Sequence, residues 1–194
     1  MKKIITISRE FGSGGGEIGK RVAQALGFEY YDKGIILKAA AETNIDVAKV
    51  LKNDESVPLL SGFTQALFDF YSRPVNEQIF EAQKSIIRKV GEHGRCVIVG
   101  RNANQILNHF DDSFHVFIHA DAYWRVQRLK QEKMPDAPEE KIMQEMEKVD
   151  KMRRKYCSYY TNTEFGNSRW YDLCINTAKI GIDRAVEIIT ELSR

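Results

Sequence analysis

Apolar residues in this chain come in two arrangements, and their alternation predicts an α/β fold. Four short stretches, residues 3–8, 96–100, 115–119 and 172–176, are rich in β-branched side chains and read as strands. The first, second and fourth are almost wholly apolar instead of alternating, the mark of strands covered on both faces, as in a parallel sheet. Between the strands, apolar residues recur at helical spacing. A first helix spans about 16–26 with Ile18, Val22 and Ala25 on one face, and Gly27 suits its end because glycine accepts a positive φ. Phe28-Glu29-Tyr30-Tyr31 is then a candidate short edge or second strand.

Residues 33–94 are helical in pattern, through Ile36, Ala39 and Ala40, then Phe63, Leu67, Phe70 and Tyr71, then Ile79, Gln83, Ile86 and Val90. That predicts an inserted helical block, with residues 53–58 as an exposed loop. A long helix is expected over 136–156, opened by Asp136-Ala137-Pro138-Glu139 with the spacing of a capping box, and striped by Ile142, Met146, Val149 and Tyr156. No repeat or linker interrupts the 194 residues, so one domain carrying a helical insertion is expected.

The first strand breaks into Arg9-Glu10-Phe11-Gly12-Ser13-Gly14-Gly15-Gly16-Glu17 before the first helix. Glycines let backbone N–H groups converge at a helix N-terminus, where unpaired donors and the helix dipole hold an anion. The phosphate-loop pattern G-x-x-x-x-G-K-[ST] can be laid on the chain in two registers. One begins at Gly14 and ends Gly19-Lys20-Arg21, but the helical recurrence of Ile18 and Val22 puts Lys20 on a helix already under way. The other follows the strand directly. There Arg9 takes the first glycine position and Gly15 the lysine position, and the hydroxyl position falls on Gly16 or Glu17. Arg9, Lys20 or an arginine from elsewhere then remain to supply the missing charge, and Glu17 is either a magnesium ligand or an acidic residue favoured by the helix dipole.

Charge changes this picture little: 29 Lys and Arg against 27 Asp and Glu give a net +2 and no basic stripe, which argues against nucleic acid as partner. No apolar run approaches the ~20 residues of a membrane span, and Met1-Lys2-Lys3 leads into a strand instead of a signal-peptide core. A cytoplasmic protein acting on small molecules is expected. Cys96, Cys157 and Cys174 form no C-x-x-C pair, Cys96 and Cys174 read as buried strand thiols, and His93, His109, His115 and His119 lack metal-ligand spacing, so no protein-held metal site is expected.

Cations mark the remaining candidate chemistry. Gly100-Arg101-Asn102 closes a buried strand at the edge where ligands of open α/β sheets gather, making Arg101 either a phosphate clamp or a structural ion pair. Asp32 either accepts from a sugar hydroxyl or amino group, or caps the next helix. Asp150, Arg153, Arg154 and Lys155 lie late in the long helix and resemble a closing flap. There, as at Arg125 and Arg128, an arginine serves either phosphoryl transfer or a helix ion pair.

Taken together these motifs resemble the cytidylate kinase-like family, within the P-loop nucleoside monophosphate kinases, nearly end to end. Ile5-Thr6-Ile7 with Gly12-Ser13-Gly14 is similar to the family's opening, and Tyr31-Asp32-Lys33 to its turn near the nucleotide sugar. Gly100-Arg101-Asn102 is similar to its G-R-D step, with Asn102 in place of aspartate. Phe117-Ile118-His119-Ala120-Asp121 resembles the strand before the lid, and Asp150-Lys151-Met152-Arg153 the arginine-bearing lid. Ile175-Asn176-Thr177-Ala178 with Gly181-Ile182 resembles the last strand and the adenine-side loop. The glycine loop is closest to a branch opening S-R-x-F-G-S-G-G.

The resemblance implies a three-layer P-loop kinase fold: a parallel five-stranded sheet in a core of residues 1–32 and 95–194, a helical acceptor-binding insert at about 33–94, and a short lid at about 130–168. It implies phosphoryl transfer from ATP, with Mg2+, to a nucleoside monophosphate such as CMP. Gly12, Ser13, Gly14, Gly15 and Gly16 would hold the donor phosphates, Arg101 the acceptor phosphate, and Arg153 with Arg154 the transferring group. Arg9, Glu17, Lys20 and Thr177 fall on the donor side, Asp32 and Asn102 on the acceptor side. The alternative is a regulatory module that binds nucleotide through the same fold without turnover.

Overall fold

The computed structural model describes residues 2–32, 34 and 77–194. The helices expected around Ile36 and Phe63, and the loop at 53–58, lie outside the described residues. Strands β1 (Ile4–Arg9), β2 (Glu29–Tyr31), β3 (Cys96–Val99), β4 (Ser113–His119) and β5 (Leu173–Asn176) form one parallel sheet in the order β2-β3-β1-β4-β5. The described helices are α1 (Gly15–Leu26), α2 (Glu77–His93), α3 (Ala103–Ile106), α4 (Ala122–Glu132), α5 (Glu139–Thr161), α6 (Thr177–Ile180) and α7 (Ile182–Ser193). This is the α/β architecture with a parallel sheet that the pattern of short apolar runs predicts, with the five strands that the family resemblance implies.

Alternate residues of the inner strands serve opposite layers, as their period of two requires. Ile5, Ile7, Val97, Val99, Val116 and Ile118 pack under α1 and α7, while Ile4, Cys96 and Ile98 meet Ile87 of α2 and Ala103 and Ile106 of α3. A further cluster of Phe11, Val126, Leu129, Met146, Val149 and Met152 seats α4 and α5 against the loop that follows β1. Because β3 and β4 flank β1 on opposite sides, the carboxyl end of β1 opens into the crevice where strand order reverses, the place ligands occupy in such sheets.

Four local expectations are corrected. β5 is an edge strand with only Ile175 buried, so Cys174 is exposed; the buried thiols are Cys96 and Cys157. On α1 it is Ala23, not Ala25, that joins Ile18 and Val22 in the core. Asp136 does not cap α5: the Ala137 N–H is committed to the Met134 carbonyl in a turn, and the N-cap is Pro138, whose carbonyl accepts from Ile142. The same helix continues five residues past Tyr156 and stops at Asn162, which adopts φ +52°. Among the described residues no helix is long and apolar enough to cross a membrane.

Candidate active site

Between β1 and α1 the chain turns through Gly12 (φ +82°) and Gly14 (φ +87°), a conformation glycine adopts without a Cβ penalty. Gly14 is the N-cap of α1 and has no side chain to satisfy the first-turn N–H groups, which leaves those donors to water or an anion. Each glycine of the loop is small for its own reason. A β-carbon at Gly12 would lie 2.9 Å from Leu129, and one at Gly14 2.2 Å from Ile182 Cδ1. One at Gly15 would stand 2.5 Å from Arg9 Cβ, whereas at Gly16 it would meet nothing within 4 Å among the described residues. Gly19 carries its neighbour Val99 at 2.6 Å from the same position, so its smallness serves the packing of α1 on the sheet, and Lys20 beside it is exposed.

Side chains from distant elements pin this loop from behind. Ser13 is fully buried and its hydroxyl lies 2.9 Å from the Glu10 carbonyl and 3.1 Å from that of Ile118, so it braces the loop from within. The Thr177 hydroxyl does the same from α6, within 2.9 Å of the Ser13 carbonyl and 3.2 Å of that of His119. Asp150 of α5 accepts from the Phe11 N–H at 2.8 Å and from Arg125 Nη1 at 2.6 Å, and Arg125 donates in turn to the Phe11 carbonyl. Arg153 donates to the Arg9 carbonyl at 2.7 Å, sits 3.7 Å from Asp150 and lies over the Phe11 ring. The helix that reads as a flap from sequence thus has Asp150, Arg153 and Tyr156 packed inward, while Arg154 and Lys155 are exposed. Arg154 borders two cavities, of 420 and 200 Å³, that share Glu10.

Positive charge converges at the loop. Arg128 of α4 reaches within 3.8 Å of the position a Gly14 β-carbon would take, and it pairs with Glu17 at 2.7 Å and Glu132 at 2.9 Å. Lys133 is exposed overall, yet its ammonium is held below the ordinary lysine value by burial and by repulsion from Arg128, Arg153 and Arg9, against the opposite pull of Glu132. Like charges crowded from β1, α4 and α5 onto one loop raise the local potential and favour a polyanion there. Nothing in the sequence marks Lys133 as part of this group, because only Arg128 is near it along the chain and Arg9 and Arg153 are distant.

At the end of β3, Gly100 (φ +83°), Arg101 (φ +61°) and Asn102 (φ +55°) follow one another in the left-handed region. Such conformations cost energy for residues with a β-carbon and gather at functional sites. Arg101 is 4% exposed, and its guanidinium stands 5.9 Å from the Tyr156 ring centre. Asn102 Nδ2 donates to the Tyr156 carbonyl at 3.5 Å, and the Tyr156 hydroxyl donates to Gln83 of α2 at 3.2 Å. Asp32 Oδ1 accepts from the Gly34 N–H at 2.9 Å, a backbone-directed bond of the capping kind.

Among the described residues no group of three or more His, Cys, Asp or Glu side chains is placed to hold a metal ion. Glu17, the one acidic side chain in the first turn, has its carboxylate oxygens on Arg21 and Arg128. The donor set of the loop therefore does not fit a resident magnesium ion.

A parallel sheet whose central strand runs through a glycine loop into a helix, with cations drawn to that loop, defines the class: this is a P-loop kinase fold. The sequence narrows it, since residues 4–179 match the profile of the cytidylate kinase-like family, and the chain belongs to that family. Among solved structures, an uncharacterized protein from Eubacterium ventriosum is 28% identical, with a TM-score of 0.76 over 98% of this chain and 97% of that one. A shikimate kinase from Bacteroides thetaiotaomicron (14% identity, TM-score 0.56, covering 97% of each chain) shares the fold. So does a gluconokinase from Sinorhizobium meliloti, with 12% identity and TM-score 0.52 over 99% of this chain and 94% of that one. No curated protein matches the sequence.

Proposed function

We propose that the protein is a phosphotransferase that moves the terminal phosphoryl group of ATP to a nucleoside monophosphate, CMP or a close relative, in the cytoplasm. The observation that carries this reading is Gly16. It stands in a helix, in a region of φ open to any residue, with no described atom near its absent β-carbon. Glycine in such a place costs the helix about 0.5–1 kcal/mol relative to alanine and no described residue packs there to require it, whereas a phosphate approaching the first-turn amides does.

In the proposed division of labour, amides from Gly12 to Gly16 receive the donor phosphates and Arg128 faces them from α4. Ser13 and Thr177 act behind the loop, setting its shape. Arg101, with Asn102 and Asp32, holds the acceptor supplied by the helical insert, and Arg153 and Arg154 flank the transferring group from the lid. An acceptor phosphate oxygen forms a bond to the γ-phosphorus as the bond from that phosphorus to the β,γ-bridging oxygen breaks, and ADP leaves. Positioning and charge neutralisation are what such a transfer asks of a protein. Magnesium arriving with the triphosphate would supply further charge neutralisation.

Incubation with ATP and each of CMP, UMP, AMP, GMP, shikimate and gluconate tests this reading. ADP should form in an acceptor-dependent way with a monophosphate, and Gly16→Ala should abolish that turnover while melting no lower than the native chain. ATP binding without turnover on any acceptor would establish the regulatory alternative instead.

A further inference from the structure

We propose that Arg9 is the phosphate-holding cation of this loop, transferred to the end of β1 from the place where a phosphate loop ordinarily carries its lysine. The inference rests on the reading of the loop as an ATP site.

The strand-first register puts Gly15 at the lysine position. In the structure that position has no room for any side chain: a β-carbon there would lie 2.5 Å from Arg9 Cβ and 2.8 Å from Arg9 Cγ. These are stem atoms fixed close to the β1 backbone, not the movable end of a long side chain, so rotation of Arg9 does not relieve the contact. Arginine at position 9 and lysine at position 15 therefore exclude each other. Beyond Gly15 the Arg9 side chain continues to Gly100, where a β-carbon would sit 2.1 Å from Nη1 and 3.1 Å from Cζ. The Arg9 side chain consequently spans from the glycine loop, where its stem lies, to the turn that carries Arg101, where its guanidinium lies, the interval across which donor and acceptor phosphates would meet.

Three independent features agree with this placement. Gly100 is paired to β1 through its N–H on the Ile7 carbonyl at 3.0 Å, which fixes the turn beside Arg9. The Arg9 carbonyl is held by Arg153, so the backbone bearing the guanidinium is anchored from α5. Lys133, held below the ordinary lysine value in part by Arg128, Arg153 and Arg9, marks a concentration of positive charge near Arg9 that suits a polyphosphate. A guanidinium offers two parallel donors to phosphate oxygens where an ammonium offers a point charge, so the substitution keeps the electrostatic task and changes its geometry.

The test measures ATP and adenosine affinity by calorimetry for the native chain, Arg9→Gln, Arg9→Lys and the double variant Arg9→Gly with Gly15→Lys. Arg9→Gln keeps the stem that covers Gly15 and removes the charge; it should weaken ATP binding about 10- to 100-fold and leave adenosine binding unchanged. Arg9→Lys should retain part of the affinity. The double variant should recover most of it, because it returns the cation to position 15 and clears the stem that blocks it. Equal ATP affinity for the native chain and Arg9→Gln overturns the proposal, and so do equal losses in Arg9→Gln and Arg9→Lys, an outcome readable even where the double variant fails to fold. A double variant that folds and binds ATP no better than Arg9→Gln also counts against it. Native binding that depends on Arg9 without turnover on any acceptor sinks the kinase reading alone. Turnover unaffected by Arg9→Gln sinks this inference alone, and a native chain that does not bind ATP sinks both.

Discussion

Asp150 is where one side chain has the largest structural consequence. It is 4% exposed and accepts from both the Phe11 N–H and Arg125, so its removal leaves a buried backbone donor unpaired and takes from a largely covered guanidinium its nearest carboxylate. Breaking a buried charged pair from one side costs about 3–5 kcal/mol. Asp150→Ala should therefore lower unfolding free energy by about that much in urea titrations, and Asp150→Asn by less, since the amide oxygen still accepts from Phe11. A loss within about 0.5 kcal/mol for the alanine variant, the size of an ordinary surface change, would mean that the loop is held by other contacts.

Along the element that joins β1 to α1, neighbouring glycines have opposite sensitivities. Gly14 adopts φ +87° under Ile182, so Gly14→Val forces a branched residue into the left-handed region and prises α7 from the loop. A cost of about 1–3 kcal/mol is expected, read as a lower Tm. The loss of nucleotide binding expected of this variant then comes through displacement of the loop, since its β-carbon points at Ile182 and not at a phosphate. Gly16→Ala is expected to hold or raise the Tm, and equal destabilisation by the two changes would contradict the assignment of Gly16 to a ligand. How far these elements are legible in sequence follows from the range of the forces that make them. The strands and α1 are encoded by local runs such as Ile4-Ile5-Thr6-Ile7 and by Gly27, which takes φ +64° at the helix end as expected. The spacing that places Asp136 at a cap is equally local, and the turn from Met134 to Ala137 overrides it. The glycine loop is visible as composition, but the meaning of each glycine is not: what Gly14 and Gly15 touch, Ile182 and Arg9, is decided by topology. Arg153 appears in sequence as a lid cation, and only its contact with the Arg9 carbonyl reveals that it also holds the loop.

At the scale of the whole molecule, the sheet is stitched across its middle by a buried histidine. His115 of β4 meets Thr6 of β1 through Nδ1 at 2.8 Å and Ser113 through Nε2 at 3.0 Å, and its backbone N–H donates to the Asp172 carboxylate beside β5 at 2.7 Å. Ser113 already donates to the Phe110 carbonyl, so Nε2–H donates to Ser113 and Nδ1 accepts from Thr6, the pattern of a neutral ring. Burial holds the His115 pKa below its ordinary value, with Lys2 acting in the same direction and Asp172 against it. The unfolded chain then takes up a proton near pH ~6.5 that the folded chain refuses. Global stability should fall as pH drops below that point, until the folded ring also titrates. His115→Gln should flatten the dependence between pH 7 and 5 in urea titrations; slopes identical to the native chain would show that the ring does not govern it.

The contact between Gly15 and the stem of Arg9 also bears on how such a loop changes over generations. Moving the cation between positions 9 and 15 takes two substitutions, and either order is unfavourable: lysine first collides with the arginine stem, and loss of the arginine first leaves neither position charged. Lineages carrying one arrangement are then separated from those carrying the other by an intermediate that selection removes. Two-residue covariation, arginine with glycine or glycine with lysine, is the record such a barrier should leave among descendants.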